Sequence, residues 1–264
     1  MDLVLLYLAA GVAAGILSGL FGVGGGVIIV PVLLLLFGLQ GIPESVSMHM
    51  AVASSLAIIV TTSISSVHAH ARRGGVRWDL ALTLTPGIIV GALGGASLAA
   101  WISGDALRVI FALFLATVAL RMGFSPEIRS SLTLPGRAGL GLVGSGIGVL
   151  SALVGIGGGS LSVPFLAKCG VTMREAVGTS AACGLPTALA GTIGFMISGW
   201  NHPELPPWTS GYVFWPAVLA VAITSAMLAP VGAMLAYRLP AKVLRRLFAI
   251  LLGLMAVRLL LDSL

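Results

Sequence analysis

The chain has 264 residues, 58% of them hydrophobic and only 8% charged, with a mean hydropathy of +1.11. Soluble domains carry about 25% charged residues, so a water-soluble globular fold is excluded. The net charge of +6 does not signal a nucleic-acid partner, because the basic residues fall in short loops between apolar runs, where they orient a chain in a bilayer.

Eight apolar runs cover roughly Leu3–Phe37, Met48–His70, Leu80–Trp101, Ala106–Met122, Ala138–Leu166, Ala176–Trp200, Tyr212–Tyr237 and Val243–Leu260. A bilayer core of about 30 Å takes about 20 helical residues, and six of the runs fit one crossing. The first is not read as a cleaved leader, since it begins with Asp2 in place of a positive n-region and lacks a convincing cleavage site. As one straight helix it would extend about 52 Å at 1.5 Å per residue. It contains GILSGLFGVGGGVIIVPVLL at Gly15–Leu34, with a triplet at Gly24–Gly26 and then Pro31. The fifth run, also over-long, contains GVLSALVGIGGGSLSVPFLA at Gly148–Ala167, with its triplet at Gly157–Gly159 and then Pro164. The second and sixth runs match through AVASS (Ala51–Ser55) and AVGTS (Ala176–Ser180), and the fourth and eighth through LRVIFALFLATVALR (Leu107–Arg121) and LRRLFAILLGLMAVR (Leu244–Arg258). Self-similarity at half the chain length identifies a duplicated four-segment unit.

Charge separates parallel halves from inverted ones. The loop after the second run carries Arg72, Arg73 and Arg77, whereas its counterpart, NHPELPPWTS at Asn201–Ser210, has no Lys or Arg. Conversely, the loop before Leu107 has only Arg108 nearby, while Arg238, Lys242, Arg245 and Arg246 surround Leu244. Equivalent loops therefore lie on opposite faces under the positive-inside rule. Inversion requires an odd number of crossings per half, so each triplet run must enter and leave on the same side. The expected fold is an all-α integral membrane protein of two inverted repeats, 1–130 and 131–264, together one transporter domain. Each repeat is a glycine-tipped broken-helix hairpin followed by three transmembrane helices, with both termini outside. Arg108 and Arg258 alone depart from that charge pattern, at the outer ends of their runs.

A hairpin tip inside a bilayer leaves backbone N–H and C=O groups that are tolerated only where they are buried in protein or line a cavity. Paired, interrupted segments in two inverted halves point to a transporter's binding site. Glycine permits positive φ and close approach of a ligand, and the half-helix after each triplet offers free N–H groups and a positive dipole end to an anion. The candidate substrate-binding residues are therefore Gly24, Gly25, Gly26, Gly157, Gly158, Gly159 and Ser160, holding a small anionic substrate between tips that meet near the midplane. Ser54, Ser55, Thr179 and Ser180, in the first turns of the second and sixth runs, either line that site or bond helix backbones. Pro31 and Pro164 are candidate hinges or static bends. Gly11, Gly15 and Gly19, with their counterparts Gly144, Gly148 and Ala152, are read as helix-packing positions. His68 and His70, beside Arg72 and Arg73, read as interfacial anchors, and His49 has no assigned role.

All eight acids lie in loops or near segment ends, so no midplane carboxylate is available for proton coupling. Backbone dipoles and hydroxyls must bind the anion. In an interior-negative membrane, moving one negative charge outward gains about 2.3 kcal/mol per 100 mV, so export needs no coupling ion. Cys169 and Cys183 lack CxxC spacing, which indicates neither a metal site nor a disulfide framework, and no cofactor is expected. An intramembrane hydrolase would need a base near Ser18 or Ser151, and no histidine is evidently placed there.

The paired GxGGGxxxxP elements (Gly22–Pro31 and Gly155–Pro164), AVASS and AVGTS, HARRGGVRW at His70–Trp78, and GFMISGWNHPELPPWTSGYVFWPA at Gly194–Ala217 together resemble the TauE/SafE sulfite exporter family over nearly the whole chain. That resemblance implies a bacterial inner-membrane secondary transporter, not an enzyme. It implies export of small sulfur-containing anions such as sulfite, sulfoacetate or related organosulfonates. A passive anion channel, or a transporter of other small carboxylate anions, shares the same sequence features. The oligomeric state is left open.

Overall fold

The computed structural model describes residues 2–21, 26–124, 132–236 and 241–261. The first over-long run divides into α1 (Asp2–Phe21) and α2 (Gly26–Leu39), and the fifth into α6 (Arg137–Val154) and α7 (Gly159–Lys168). The remaining runs form α3 (Glu44–Arg72), α4 (Trp78–Trp101), α5 (Gly104–Phe124), α8 (Met173–Ser198), α9 (Trp215–Ala236) and α10 (Ala241–Leu261). A two-stranded antiparallel hairpin, β1 (Thr209–Ser210) and β2 (Val213–Phe214), leads into α9 with Thr209 opposite Phe214.

The protein is an all-α membrane protein. Four helices, α3, α4, α6 and α8, are long and apolar enough to cross a membrane. Their outer faces carry bare hydrophobic side chains, Leu142 of α6 being 76% exposed and Ile197 of α8 69% exposed. Contiguous apolar surface of that kind is an aggregation liability in water, whereas in lipid it meets a solvent of its own polarity.

Two helices start earlier than hydropathy alone predicts. α3 begins at Glu44 and α8 at Met173, where Thr172 accepts a hydrogen bond from the Glu175 N–H (3.4 Å) and donates its hydroxyl to the Glu175 carboxylate (2.7 Å). This cap resembles a capping box and satisfies an otherwise orphaned N–H. The earlier starts move Ser54, Ser55, Thr179 and Ser180 out of first turns and into helix interiors. Pro31 and Pro164 lie within α2 and α7, both of which continue past the proline.

Helix packing has an internal symmetry. α1 packs on α9 and α6 on α4; α2 packs on α3 and α7 on α8; α4 packs on α8 and α9 on α3; α3 meets α8, and α5 meets α10. Exchanging α1–α5 with α6–α10 interchanges the first three pairs of contacts and leaves α3 on α8 and α5 on α10 unchanged. Small residues carry the tightest of them. A Cβ added at Gly144 would lie 2.6 Å from the Leu84 carbonyl oxygen, and one at Gly95 would lie 2.7 Å from that of Val149. Gly91 sits directly on the backbone of Ser145, and Gly148 on that of Ile88. Gly15 of α1 approaches Ser225 of α9 in the same way, its added Cβ falling 2.7 Å from the Ser225 carbonyl oxygen. Gly15, Gly144 and Gly148, ladder positions, are packing surfaces through which backbones approach as small-residue motifs allow, while the surroundings of Gly19 lie outside the described residues.

Polar groups near the ends of the bundle are also matched. Arg108 is buried, with its guanidinium 3.8 Å from Asp105 and 3.9 Å from Glu44, which accounts for one basic residue outside the charge pattern. His49 is buried near the start of α3. Its Nε2 donates towards the carbonyls of Ala99 (2.9 Å) and Ile102 (3.1 Å) at the end of α4, and its ring stacks on Tyr212 at 5.0 Å. The residue has a structural partner set at one end of the bundle.

Gly91 and Gly94 lie on the same helix, yet nothing lies within 4 Å of a Cβ added at Gly94. Gly91→Val should therefore destabilise the protein by about 1–3 kcal/mol or prevent folding, while Gly94→Val is tolerated. Thermal unfolding of the two variants in detergent checks this, and equal midpoints would contradict the packing described.

Candidate functional site

The second helix break is built from glycine geometry. α6 ends at Val154, and Gly155 follows in the left-handed region at φ 69°, with the N–H of Ile156 returning to the Ser151 carbonyl at 3.0 Å. That pattern closes the last turn of a helix in the usual αL manner. The Gly158 N–H then folds back onto the Ile156 carbonyl (2.7 Å), and Gly158 itself, at φ 75°, caps α7. Side chains with a Cβ avoid this region, so the changes of direction at Gly155 and Gly158 both depend on glycine. Leu161 and Ser162 donate to the Gly158 carbonyl at 3.1 and 2.8 Å. The N–H groups of Gly159 and Ser160, at the first two positions of the helix, are left without an intrahelical acceptor.

Hydroxyls from three helices surround this end of α7. A Cβ placed at Gly158 would lie 3.2 Å from the Thr187 hydroxyl of α8 and 3.5 Å from the Ser151 hydroxyl of α6. Ser180 of α8 donates to the Gly159 carbonyl at 3.3 Å. The hydroxyls of Ser151, Ser160 and Ser162 are buried without a hydrogen-bond partner among the described residues. Buried polar groups are ordinarily paired, and each orphan calls for an explanation. Ser151 and Ser162 are almost fully enclosed, whereas Gly157, Gly159 and Ser160 are half-buried. None of these lining residues is charged. An assembly of free N–H and O–H donors at the positive end of a helix is suited to an anion.

The first hairpin reaches the second. Gly26, the first residue of α2, is buried against the other turn: an added Cβ would lie 2.6 Å from the Gly155 carbonyl oxygen and 3.0 Å from the Ile156 Cα. Gly24 and Gly25 lie outside the described residues. Ser55 of α3 donates to the Gly155 carbonyl at 2.9 Å, joining the same junction. Gly157 approaches α3 at Ile59, and Gly184 of α8 approaches the Gly157 carbonyl.

The other two hydroxyls predicted from sequence act elsewhere. Ser54 accepts the Phe214 N–H at 3.0 Å, and Thr179 accepts the Arg77 N–H at 2.9 Å. Phe214 and Arg77 immediately precede α9 and α4, so these equivalent positions of the two halves each fasten the chain entering the next helix. The structure brings Gly26, Gly157–Gly159, Ser160, Ser55 and Ser180 together. Sequence reasoning missed Ser162 and Thr187, and considered Ser151 only as a nucleophile. For Ser151 and Ser162 the available signal was a hydroxyl within an apolar run, one or two turns from a triplet; Thr187, on α8, carried no such signal.

A family model described as Sulfite exporter TauE/SafE matches residues 7–259. A probable membrane transporter protein of Haemophilus influenzae is 35% identical over 261 residues, covering 98% of this chain and 98% of its own. Another, of Methanocaldococcus jannaschii, is 30% identical over 262 residues, covering 97% of this chain and 95% of its own. A third, YdhB of Bacillus subtilis, is 28% identical over 193 residues, which is 70% of this chain and 76% of the relative. No solved structure gives a significant match. With both glycine-tipped segments inside the matched span, the chain belongs to the TauE/SafE sulfite exporter family of membrane proteins.

Proposed function

We propose that this membrane transporter exports small sulfur-containing anions, namely sulfite, sulfoacetate or related organosulfonates, across a bacterial inner membrane by alternating access. Its two inverted repeats, 1–130 and 131–264, place both termini outside. The anion is held at the α7 N-terminus by Gly157, Gly158, Gly159 and Ser160, with Ser151 and Ser180 beside it, and Gly24–Gly26 supplies the facing tip. Ser55 fixes the turn, Ser54 and Thr179 position the helices around it, and Pro31 and Pro164 are the hinges. No catalytic step is assigned to any residue.

The observation that most supports this reading is the coincidence of two N–H groups lacking intrahelical acceptors with three buried, unpartnered hydroxyls. Hydrogen bonds to a charged group contribute about 1.5–3 kcal/mol each, so a few neutral donors stabilise an anion without holding it too tightly for release. A fixed cation in the same place would slow departure. The membrane field supplies the direction, at about 2.3 kcal/mol per 100 mV for each negative charge moved outward.

Efflux from proteoliposomes under an imposed potential tests the proposal, with sulfite, sulfoacetate and acetate as cargo. Wild-type flux of a sulfur oxyanion should follow the potential and saturate with concentration. Gly158→Val and Gly25→Val should abolish it, and the milder Ser160→Ala should lower it about tenfold, the equivalent of about 1.4 kcal/mol, with the protein still monodisperse. Flux that is absent for every anion, or that survives all three substitutions, would reject the reading. Non-saturating flux would make the protein a channel.

A further inference from the structure

The segment joining α8 to α9 returns into the bundle and buries its rings there. Tyr212 is 4% and Phe214 8% exposed. The Phe214 ring lies 6.1 Å from that of Tyr7 on α1 and 5.9 Å from that of Phe37 on α2, centroid to centroid. Tyr212 stacks on His49 of α3 at 5.0 Å and meets Phe195 of α8 edge-on at 6.2 Å. Offset and edge-on ring pairs favour a fixed geometry. A segment from the second half is thereby wedged among three helices of the first, at the end of the bundle where α1 and α3 begin and α2 ends.

The duplicated half provides an internal control. The chain before α4 reads GGVRW (Gly74–Trp78) and that before α9 reads GYVFW (Gly211–Trp215). Gly74 and Gly211 both have positive φ, at 64° and 55°, and the Arg77 and Phe214 N–H groups both donate to a hydroxyl of a central helix, Thr179 or Ser54. The two connections share these backbone features but not their side chains. Tyr212 corresponds to Gly75, and Phe214 to Arg77, whose guanidinium turns to exposed Asp79 at 2.7 Å. Matching the two glycine-triplet segments likewise pairs Tyr7 and Phe37 with Leu140 and exposed Gly170. None of these four rings has an aromatic counterpart at the other end.

The half-helices follow the same asymmetry. α2, which reaches the rings through Phe37, is buried at every residue from Gly26 to Pro31, whereas in α7 only Ser162 and Leu166 are buried. Tight packing is concentrated at the ring end. Consecutive hydroxyls of α3 then tie that end to the helix break: Ser54 holds the Phe214 N–H at 3.0 Å and Ser55 the Gly155 carbonyl at 2.9 Å. A shift of α3 therefore reaches both together.

We infer that Tyr7, Phe37, Tyr212 and Phe214 form an aromatic gate that closes one end of the bundle to the N-terminus of α7, and that substrate passes that end only when the Gly211–Phe214 segment withdraws. The inference rests on the alternating-access reading above, and it adds which residues close one of the two sides. The end that holds Arg77 has no such gate, and the site is reached from there.

Thiol labelling tests this without requiring transport. With Cys169 and Cys183 replaced by alanine, Ser160→Cys reports on the site, while loop controls Asn201→Cys and Arg73→Cys mark the ring end and the opposite end. A membrane-impermeant thiosulfonate added at the opposite end should label Ser160→Cys. Added at the ring end, it should do so at no more than about a tenth of that rate, since a closed gate leaves roughly 0.1–10% of molecules open. Phe214→Leu, which keeps an apolar side chain in the core, should raise the ring-end rate about tenfold and leave the Asn201→Cys rate unchanged. In a second variant, Phe37→Cys with Phe214→Cys, a short bifunctional thiosulfonate joining the two should stop efflux, and a reductant should restore it. Equal labelling from both ends with the rings intact, no gain in Phe214→Leu, or full flux through the cross-linked protein overturns the inference. Flux absent for every anion, with the labelling pattern retained, would support the gate and reject the substrate reading.

Discussion

Inside a bilayer every backbone N–H and C=O must find a partner within the protein, because the surrounding hydrocarbon offers none. A continuous helix meets that requirement by itself, and most of this chain is continuous helix. The break between α6 and α7 departs from it and is affordable only because protein encloses it. Ser55 takes up the Gly155 carbonyl, Ser180 takes up that of Gly159, and Gly26, Ile59 and Gly184 close around the turn. The N–H groups left over at the start of α7 are the part of the backbone for which the protein supplies no intrahelical partner. The proposed function rests on that remainder.

The rest of the architecture holds the break in place. Close contact between α4 and α6, through Gly87, Gly91 and Gly95 on one side and Gly144 and Gly148 on the other, fixes the arm that delivers Ser151 to the turn. Two hydroxyl latches, Ser54 to Phe214 and Thr179 to Arg77, do equivalent work in the two halves by tying the chain before α9 and α4 to the central helices α3 and α8. These central helices pack on one another and on both hairpins. A shift of either would be felt at the turn, since interiors packed at this closeness do not deform smoothly. In the proposed anion site, the charge-free lining leaves binding to oriented dipoles and hydroxyls, which would hold an anion without trapping it.

Much of this was legible in the sequence because the signals were local. Three consecutive glycines inside an apolar run mark a helix break, and their recurrence half a chain later marks a duplication. The ladder glycines were recognisable as packing residues from spacing alone. The starts of α3 and α8 were less legible, since Glu44, Ser45 and Ser47, like Met173–Glu175, fall outside an apolar window, and only α8 has a capping side chain, Thr172. The hydroxyl cluster was not legible as a cluster. Ser151 and Thr187 stand on α6 and α8, each a single polar residue among apolar ones, and only tertiary packing brings them to Gly158, whereas Ser162 is local to the turn. The roles of Ser54 and Thr179 were hidden for the same reason, as their partners are 160 and 102 residues away in the chain.

The most direct measurement is an experimental structure with a bound anion containing a heavy atom, such as selenite, located by its anomalous scattering. An anion held at the helix break should appear within hydrogen-bonding reach of the Gly159 and Ser160 N–H groups and the Ser151 hydroxyl. It should be lost from that position in Ser151→Ala with Ser160→Ala. A well-occupied anion elsewhere in the bundle, with nothing at the start of α7, would show that the glycine turn serves packing alone.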